Sequence, residues 1–488
     1  MQEKSALNKK ENEMKNNSFI RQVLDIGMGT FFTIIIGVLT TPIITRLVDP
    51  NIYGEFAVFN TYATLGLTFF CMGMDQSFIR FYYQSKNKNE QSLLFKKCLS
   101  LPILIWLIGS VFLAVMSVIG NFKREYPLEI YLYIASLFIM ILNRFSLNCL
   151  RVNNESKLYA MSNCLTKILY VSLAIIVIRM TQVSQLYALI VANVISLVIP
   201  TLIAIYKEKD YWIGSKNRIK DKSVKYEEIL KYGAPLMIST SVFSLFQAVD
   251  RLSLNHYCNK TIVGIYASAQ TLMTVFSIIQ QSFNVVWGPK SIEQYEKGDN
   301  PEKYFSAVHK IIVVIMFAFG ATILVFKNVF VLLLGEKYRE AATIIPFLML
   351  NPIMYTISET TNIGIVMKKK SIYQVYIVVI SCVVNVIGNA FLIPIIGAKG
   401  AAVSTGISYV LFFTLRTYFS QKLMFVNFEL KRLIIVLCLF LGMAYYHMMY
   451  SSLVIEILMY IGFISIILFV YKKDVLFIYD FVKSKLKR

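Results

Sequence analysis

Charge is scarce in this chain. Of 488 residues, only 16% are Asp, Glu, Lys or Arg, too few to cover the surface of a soluble protein of this length. Seven cysteines, an odd number, stand singly at Cys71, Cys98, Cys149, Cys164, Cys258, Cys382 and Cys438. With no C-x-x-C spacing, neither a disulfide framework nor a thiolate metal site is supported. The three histidines, His256, His309 and His447, belong to no ligand spacing, so no metal site is expected. No G-x-x-x-x-G-K-[ST] occurs, which excludes ATP hydrolysis by a phosphate-cradling loop. No loop is long enough to carry the acids of a membrane glycosyl transferase, so the chain reads as a non-enzyme.

What is present is apolar. Hydrophobic residues make up 57% of the chain and aromatics 14%, gathered in runs of about 20 residues that each suffice to cross the ~30 Å hydrocarbon core as a helix. Alternation of polar and apolar residues, the mark of barrel strands, is missing. The expected fold is an all-α integral membrane protein of about 14 transmembrane helices. The run after the polar tail at 1–17 is too long for a signal-peptide core and lacks an A-x-A exit, so it is expected to stay on the protein.

Net charge is +21. With the N-terminus inside, about 37 Lys and Arg fall on the cytoplasmic side and about 10 outside, leaving Arg80 and Lys167 within spans. That asymmetry fits a cytoplasmic membrane surface better than nucleic acid, and places both termini in the cytoplasm. The organisation read from the runs is a tail at 1–17, an N-lobe of six spans at 18–206, a cytoplasmic linker at 207–226, a C-lobe of six spans at 227–421, two further spans at 422–471 and a basic tail at 472–488. The lobes resemble each other: Tyr53-Gly54-Glu55-Phe56-Ala57 opens the second span and Val263-Gly264-Ile265-Tyr266-Ala267 the eighth. Six spans per unit is even, so the repeat is parallel, with the substrate path expected between the lobes.

Charges inside a membrane cost roughly 2.5 to 3.5 kcal/mol at the bilayer centre, so they normally face a cavity or a partner. Four polar stripes at helical spacing suggest a wet interior surface: Tyr159, Asn163, Lys167 and Tyr170; Thr61, Thr64, Thr68, Cys71 and Asp75; Thr240, Ser244, Gln247 and Arg251; Gln270, Thr274, Ser277, Gln281 and Asn284. Interhelical hydrogen bonding is the alternative for the amides and hydroxyls. The expected substrate-binding set is Arg80, Arg144, Lys167, Arg251, Gln247, Gln270, Gln281 and Asn284. Asp75, Glu359 and Asp25 are the ion-coupling candidates, the alternative being that Asp75 and Glu359 are fixed by Arg80 or Arg144. Asp250 is read as a structural partner of its neighbour Arg251.

The residues at the joints carry a resemblance. Arg46-Leu47-x-x-Pro50-x-x-Tyr53-Gly54-x-Phe56-Ala57, Gly73 through Arg80-Phe81-Tyr82, Tyr232-Gly233-x-Pro235-Leu236, Asp250-Arg251, Gly335-x-x-Tyr338-x-x-Ala341, Asn362-x-Gly364 and Asn389-x-x-Leu392-Ile393-Pro394 through Gly400-Ala401-Ala402 follow in the order of Wzx-type oligosaccharide flippases. This chain resembles that polysaccharide branch of the multidrug/oligosaccharidyl-lipid/polysaccharide (MOP) exporter superfamily. The resemblance implies a V-shaped bundle with a central cavity lined by the first, second, seventh and eighth spans. It implies a cargo of oligosaccharide on undecaprenyl pyrophosphate, carried by alternating access to the outer leaflet for capsule, O-antigen or exopolysaccharide assembly. The implied location is a bacterial inner membrane and the implied partners are membrane lipids, a polysaccharide polymerase and chain-length proteins, with no nucleic acid. No cofactor is implied, and proton or sodium coupling is the expected alternative to passive transport. A drug exporter of the same superfamily, a lipid II flippase and a membrane polymerase or ligase on the same carrier are the competing readings. Against the drug exporter stand the cations of the expected cavity, and against lipid II the first span, which offers Arg21 and Asp25 and little other charge.

Overall fold

A computed structural model describes residues 31–85, 87–119, 127–213, 225–298, 300–472 and 474. Arg21, Asp25, the tail at 1–17, most of the 207–226 linker and nearly all of the 472–488 tail lie outside these. The protein is all helical, with no strand among the described residues. Among the described residues, eleven helices are long and apolar enough to span a membrane, or thirteen if each of two bent pairs is one span. The described part of the first helix, α1 (Phe31–Leu47), is shorter.

The chain divides into two compact units. One comprises residues 1–40 and 59–244, the other Thr41–Val58 with Leu245–Arg488. The second unit thus takes in the end of the first span and the start of the second, a division that no apolar run announces.

In the first unit, α2 (Pro50–Cys71) is followed by α3 (Met74–Tyr82) at an angle of 51°. The second span, expected from the sequence as one helix, is therefore broken. Met72 and Gly73 both take positive φ, at 50° and 69°, and a Cβ on Gly73 would lie 2.2 Å from the Gly233 carbonyl oxygen. Only glycine meets both conditions. Gly233 belongs to α9 (Tyr226–Tyr257), from which the Ile229 carbonyl accepts a 3.0 Å hydrogen bond from Ser77. The remaining helices of this unit are α4 (Lys88–Ile119), α5 (Pro127–Val152), α6 (Ser156–Met180), α7 (Gln185–Lys207) and the short α8 (Lys209–Ile213). Phe78, Phe95, Ile141, Phe145 and Ile229 are buried in its core.

The second unit contains α10 (Lys260–Met273), α11 (Val275–Lys297) and α12 (Pro301–Leu332). After a 3-10 turn (Glu336–Tyr338) come α13 (Ala341–Leu348), α14 (Leu350–Thr361), α15 (Ile363–Met367), α16 (Ile372–Ile396) and α17 (Ala398–Leu423). The two extra spans are α18 (Leu430–Met449) and α19 (Leu453–Val470). The Asn259 side chain caps α10 by accepting from the Ile262 N–H at 3.0 Å, satisfying one of the free donors of its first turn. The helices α10 and α11 form the second bent pair, so both copies of the repeat break at the same span.

The repeated motif is a helix crossing. A Cβ on Gly54 would stand 1.8 Å from the Lys260 carbonyl oxygen, and one on Gly264 would stand 2.0 Å from that of Pro50. Each glycine lies against the first residue of the other's helix, so both copies of the motif must lack a side chain there. Gly335 and Tyr338 hold the same segment: the Gly335 N–H donates to Thr45 Oγ1 at 3.2 Å and the Tyr338 hydroxyl to the Val48 carbonyl at 3.0 Å. Lys337 pairs with Asp49.

Candidate functional site

Within the first unit, α3 and α5 place Asp75 beside Arg144. The guanidinium Nε and Nη2 both stand 2.7 Å from Asp75 Oδ2, and Gln76 Nε2 donates to the same oxygen at 3.2 Å. Asp75 is 3% exposed and Arg144 33%, so the carboxylate is sealed while the cation keeps one side open. Of the two partners weighed for Asp75, Arg144 is the one it meets; Arg80 stands exposed at the end of α3. Lys167 sits midway along α6, closely surrounded by protein yet with an accessible side chain. It pairs with no carboxylate among the described residues. A cation in a membrane helix that is both unpaired and accessible meets water or an anionic ligand.

In the second unit, Arg251 donates from Nε to Gln270 Oε1 at 2.8 Å, so the structure brings these two expected residues together. Asp250 is not the partner of Arg251. Its carboxylate is 2% exposed and accepts from four neutral donors: Tyr266 Oη at 2.6 Å, Thr405 Oγ1 at 2.6 Å, Asn389 Nδ2 at 3.0 Å and Asn385 Nδ2 at 3.2 Å. Successive helical residues project about 100° apart, so Asp250 and Arg251 face different neighbours. Asn389 Oδ1 is buried with no hydrogen-bond partner. Four neutral donors thus hold a sealed carboxylate that has no hydrogen-bonded cation among the described residues, an environment in which the group can take up a proton or exchange its hydrogen bonds for a small cation. No group of three His, Cys, Asp or Glu side chains able to hold a metal occurs among the described residues.

Glu359 meets a residue that the sequence did not single out. Arg416 Nη1, on α17, donates to Glu359 Oε1 and to Ser358 Oγ, each at 2.8 Å. Its guanidinium lies 5.7 Å from the Tyr355 ring centroid and 5.4 Å from that of Phe412. Gln247 and Gln281 are exposed, whereas Asn284 is partly buried with Oδ1 lacking a partner. The Ser277 side chain lies outside the description. A second unexpected group is fully enclosed: Lys327 Nζ on α12 donates to Glu456 Oε1 of α19 at 2.6 Å and to His447 Nδ1 of α18 at 2.9 Å. Lys327 interrupts the apolar run of this span, yet α12 continues to Leu332.

The fold has counterparts among known proteins. The chain is similar over 83% of its length to a MOP superfamily transporter from Pyrococcus furiosus, with 15% identity, a TM-score of 0.56 and 95% of that chain covered. It is similar over 92% of its length to the lipid II flippase MurJ in an inward closed conformation, with 15% identity, a TM-score of 0.70 and 99% of that chain covered. At such identities the likeness is one of fold. An uncharacterized membrane protein of Methanocaldococcus jannaschii is 23% identical over 412 residues, which is 78% of this chain and 80% of that protein. The family model described as polysaccharide biosynthesis protein matches residues 19–293, more than half of the chain. A multi-pass helical protein with the MOP transporter fold and that match belongs to the polysaccharide biosynthesis protein family.

Proposed function

We propose that the protein is a flippase that carries oligosaccharide repeats linked to undecaprenyl pyrophosphate from the inner to the outer leaflet of a bacterial plasma membrane. The single observation that carries this reading is the accessible cation set of a membrane-embedded protein in a polysaccharide family: Lys167 in α6, with no carboxylate partner among the described residues, and Arg144, one-third exposed. Pyrophosphate is multiply anionic, and ammonium and guanidinium groups offer it charge-assisted hydrogen bonds. A cationic drug would be repelled by the same groups. The neighbour named as a lipid II flippase supports a lipid-linked cargo, and both termini are proposed to be cytoplasmic by the charge asymmetry.

Deleting the gene in its host should accumulate a lipid-linked repeat inside and remove one surface glycan. Complementation by Lys167→Ala or Arg251→Ala, at normal membrane abundance, should restore about a tenth of export or less if each cation holds the cargo by one charge-assisted bond. Full export by both variants would remove them from the site.

Transport is proposed to be coupled to a proton or sodium gradient at Asp250. Asp75 and Glu359 are each held by a guanidinium, whereas Asp250 is surrounded by neutral donors and can exchange its charge with a bound cation. Asp250→Asn is expected to leave cargo binding intact and to make transport indifferent to both gradients. Retention of gradient-driven transport by that variant would return the coupling role to Asp75 or Glu359.

A further inference from the structure

The helix α14 belongs to the most thoroughly buried of the span-length segments, yet it has one open strip. Asn351, Tyr355 and Glu359 are each partly exposed, while the residues between them, 352–354 and 356–358, are all buried. The spacing is four residues, so the three side chains stack along one narrow face over roughly 12 Å. A strip open to lipid would be apolar, because an amide, a phenol and a carboxylate facing hydrocarbon each carry a large desolvation cost. A face of this composition is suited to water rather than to hydrocarbon.

Its surroundings are built to hold these groups still. The Tyr355 ring lies parallel to Phe412, at 14° and 5.7 Å between centroids, with the Arg416 guanidinium near both rings. Glu359 keeps 18% of its side chain exposed while Arg416, 7% exposed, fixes one of its oxygens. Trp287 Nε1 donates to the Glu359 carbonyl at 3.1 Å, and one turn earlier on α11 Asn284 Oδ1 is buried with no partner. Gln247 is exposed on α9, with both Gln247 and Asn351 beside the Tyr409 hydroxyl.

We infer that this strip binds the sugar portion of the cargo. A pyranose has an apolar C–H face and a rim of hydroxyls; a rigid aromatic ring takes the first, and planar amides with an ionised carboxylate take the second. Glu359 and Arg416 together are neutral, so the strip exerts no net pull on a cationic drug or on the pyrophosphate. It suits an uncharged polyol, and its length admits more than one hexose ring. Glu359, expected from the sequence as an ion acceptor, is here a hydrogen-bond acceptor for hydroxyls.

The inference rests on the lipid-linked oligosaccharide reading, and its test separates the two. Full-length protein in liposomes is given two probes: the complete lipid-linked repeat extracted from the deletion strain, and undecaprenyl pyrophosphate carrying a single sugar. Tyr355→Leu and Glu359→Gln should each slow flipping of the complete repeat by about tenfold, a loss at least about fivefold larger than on the single-sugar carrier, and Tyr355→Phe, which keeps the ring, should lose at most about threefold. Equal losses on both probes mark a structural role and overturn the inference, as does normal flipping by Tyr355→Leu. Ethidium binding by the unaltered protein that weakens in Glu359→Gln assigns the strip to a cation instead. If the deletion strain accumulates no lipid-linked oligosaccharide, the cargo reading itself fails, before any variant of the strip is made.

Discussion

Gly54→Ala and Gly264→Ala should each reduce export by about a hundredfold, because the added carbon would stand about 2 Å from a carbonyl oxygen of the opposing helix and neither backbone can retreat without parting the crossing. Both oxygens, on Lys260 and Pro50, belong to the first turns of the partner helices, so there is no flexible side-chain end to absorb the contact. The parted helices would also strain the Gly335 and Tyr338 bonds to Thr45 and Val48. The contact is backbone against backbone, so a displacement of about 1 Å at the crossing is expected to cost export before it costs the fold. Gly442→Ala and Gly462→Ala are the controls, since a Cβ at either position meets nothing within 4 Å. Export by all four variants at matched membrane abundance is the measurement, and normal export by Gly54→Ala would show that the crossing does not have to close this tightly.

The second large effect is expected at Lys327. Its ammonium, the Glu456 carboxylate and the His447 ring are each at most 3% exposed, so Lys327→Met leaves an uncompensated carboxylate enclosed between α12, α18 and α19. Removing one partner of a buried pair typically costs about 3–5 kcal/mol, which for a unit of this size is a fall of about 10 °C in Tm. Lys327→Met with Glu456→Met should recover most of that loss, because two apolar side chains of similar volume avoid both desolvation costs. Thermal unfolding of the detergent-solubilised protein measures it. A double variant as unstable as the single one would mean that the pair has a role beyond mutual neutralisation.

These two sites differ in how legible they are in the sequence. Gly54 and Gly264 were legible because a backbone contact between two copies of one motif must repeat the same residue, and the repeat itself could be read along the chain. Gly335 and Tyr338 were likewise noticed as a motif, and their bonds to Thr45 and Val48 now give the motif a physical reason. The Lys327, His447 and Glu456 group was invisible because hydropathy stops at a charge, whereas the helix does not, and because its members lie 120 and 129 residues apart. The Asp250 cage joins residues from four helices, α9, α10, α16 and α17, and periodicity within one helix cannot reveal that. The strip of Asn351, Tyr355 and Glu359 is legible in the sequence, since it has the four-residue spacing of the other polar stripes. The break at Met72 and Gly73 also had a signal, since a glycine inside an apolar run marks either a close approach or an unusual φ, and here it marks both. The apolar spans are legible directly, because a run of about 20 apolar residues has few other stable outcomes.

The most direct measurement is reconstituted flipping. Purified full-length protein in sealed liposomes, loaded with the undecaprenyl pyrophosphate-linked repeat from the deletion strain, is followed by the access of an outside-added glycosidase to the oligosaccharide, with a labelled phospholipid as the control lipid. The predicted result is movement of the lipid-linked repeat well above protein-free liposomes, none of the phospholipid, and loss of that movement in Lys167→Ala with Arg251→Ala. No movement of the repeat under proton or sodium gradients of either sign, together with uptake of a cationic dye, would contradict the account and identify an exporter of a different cargo.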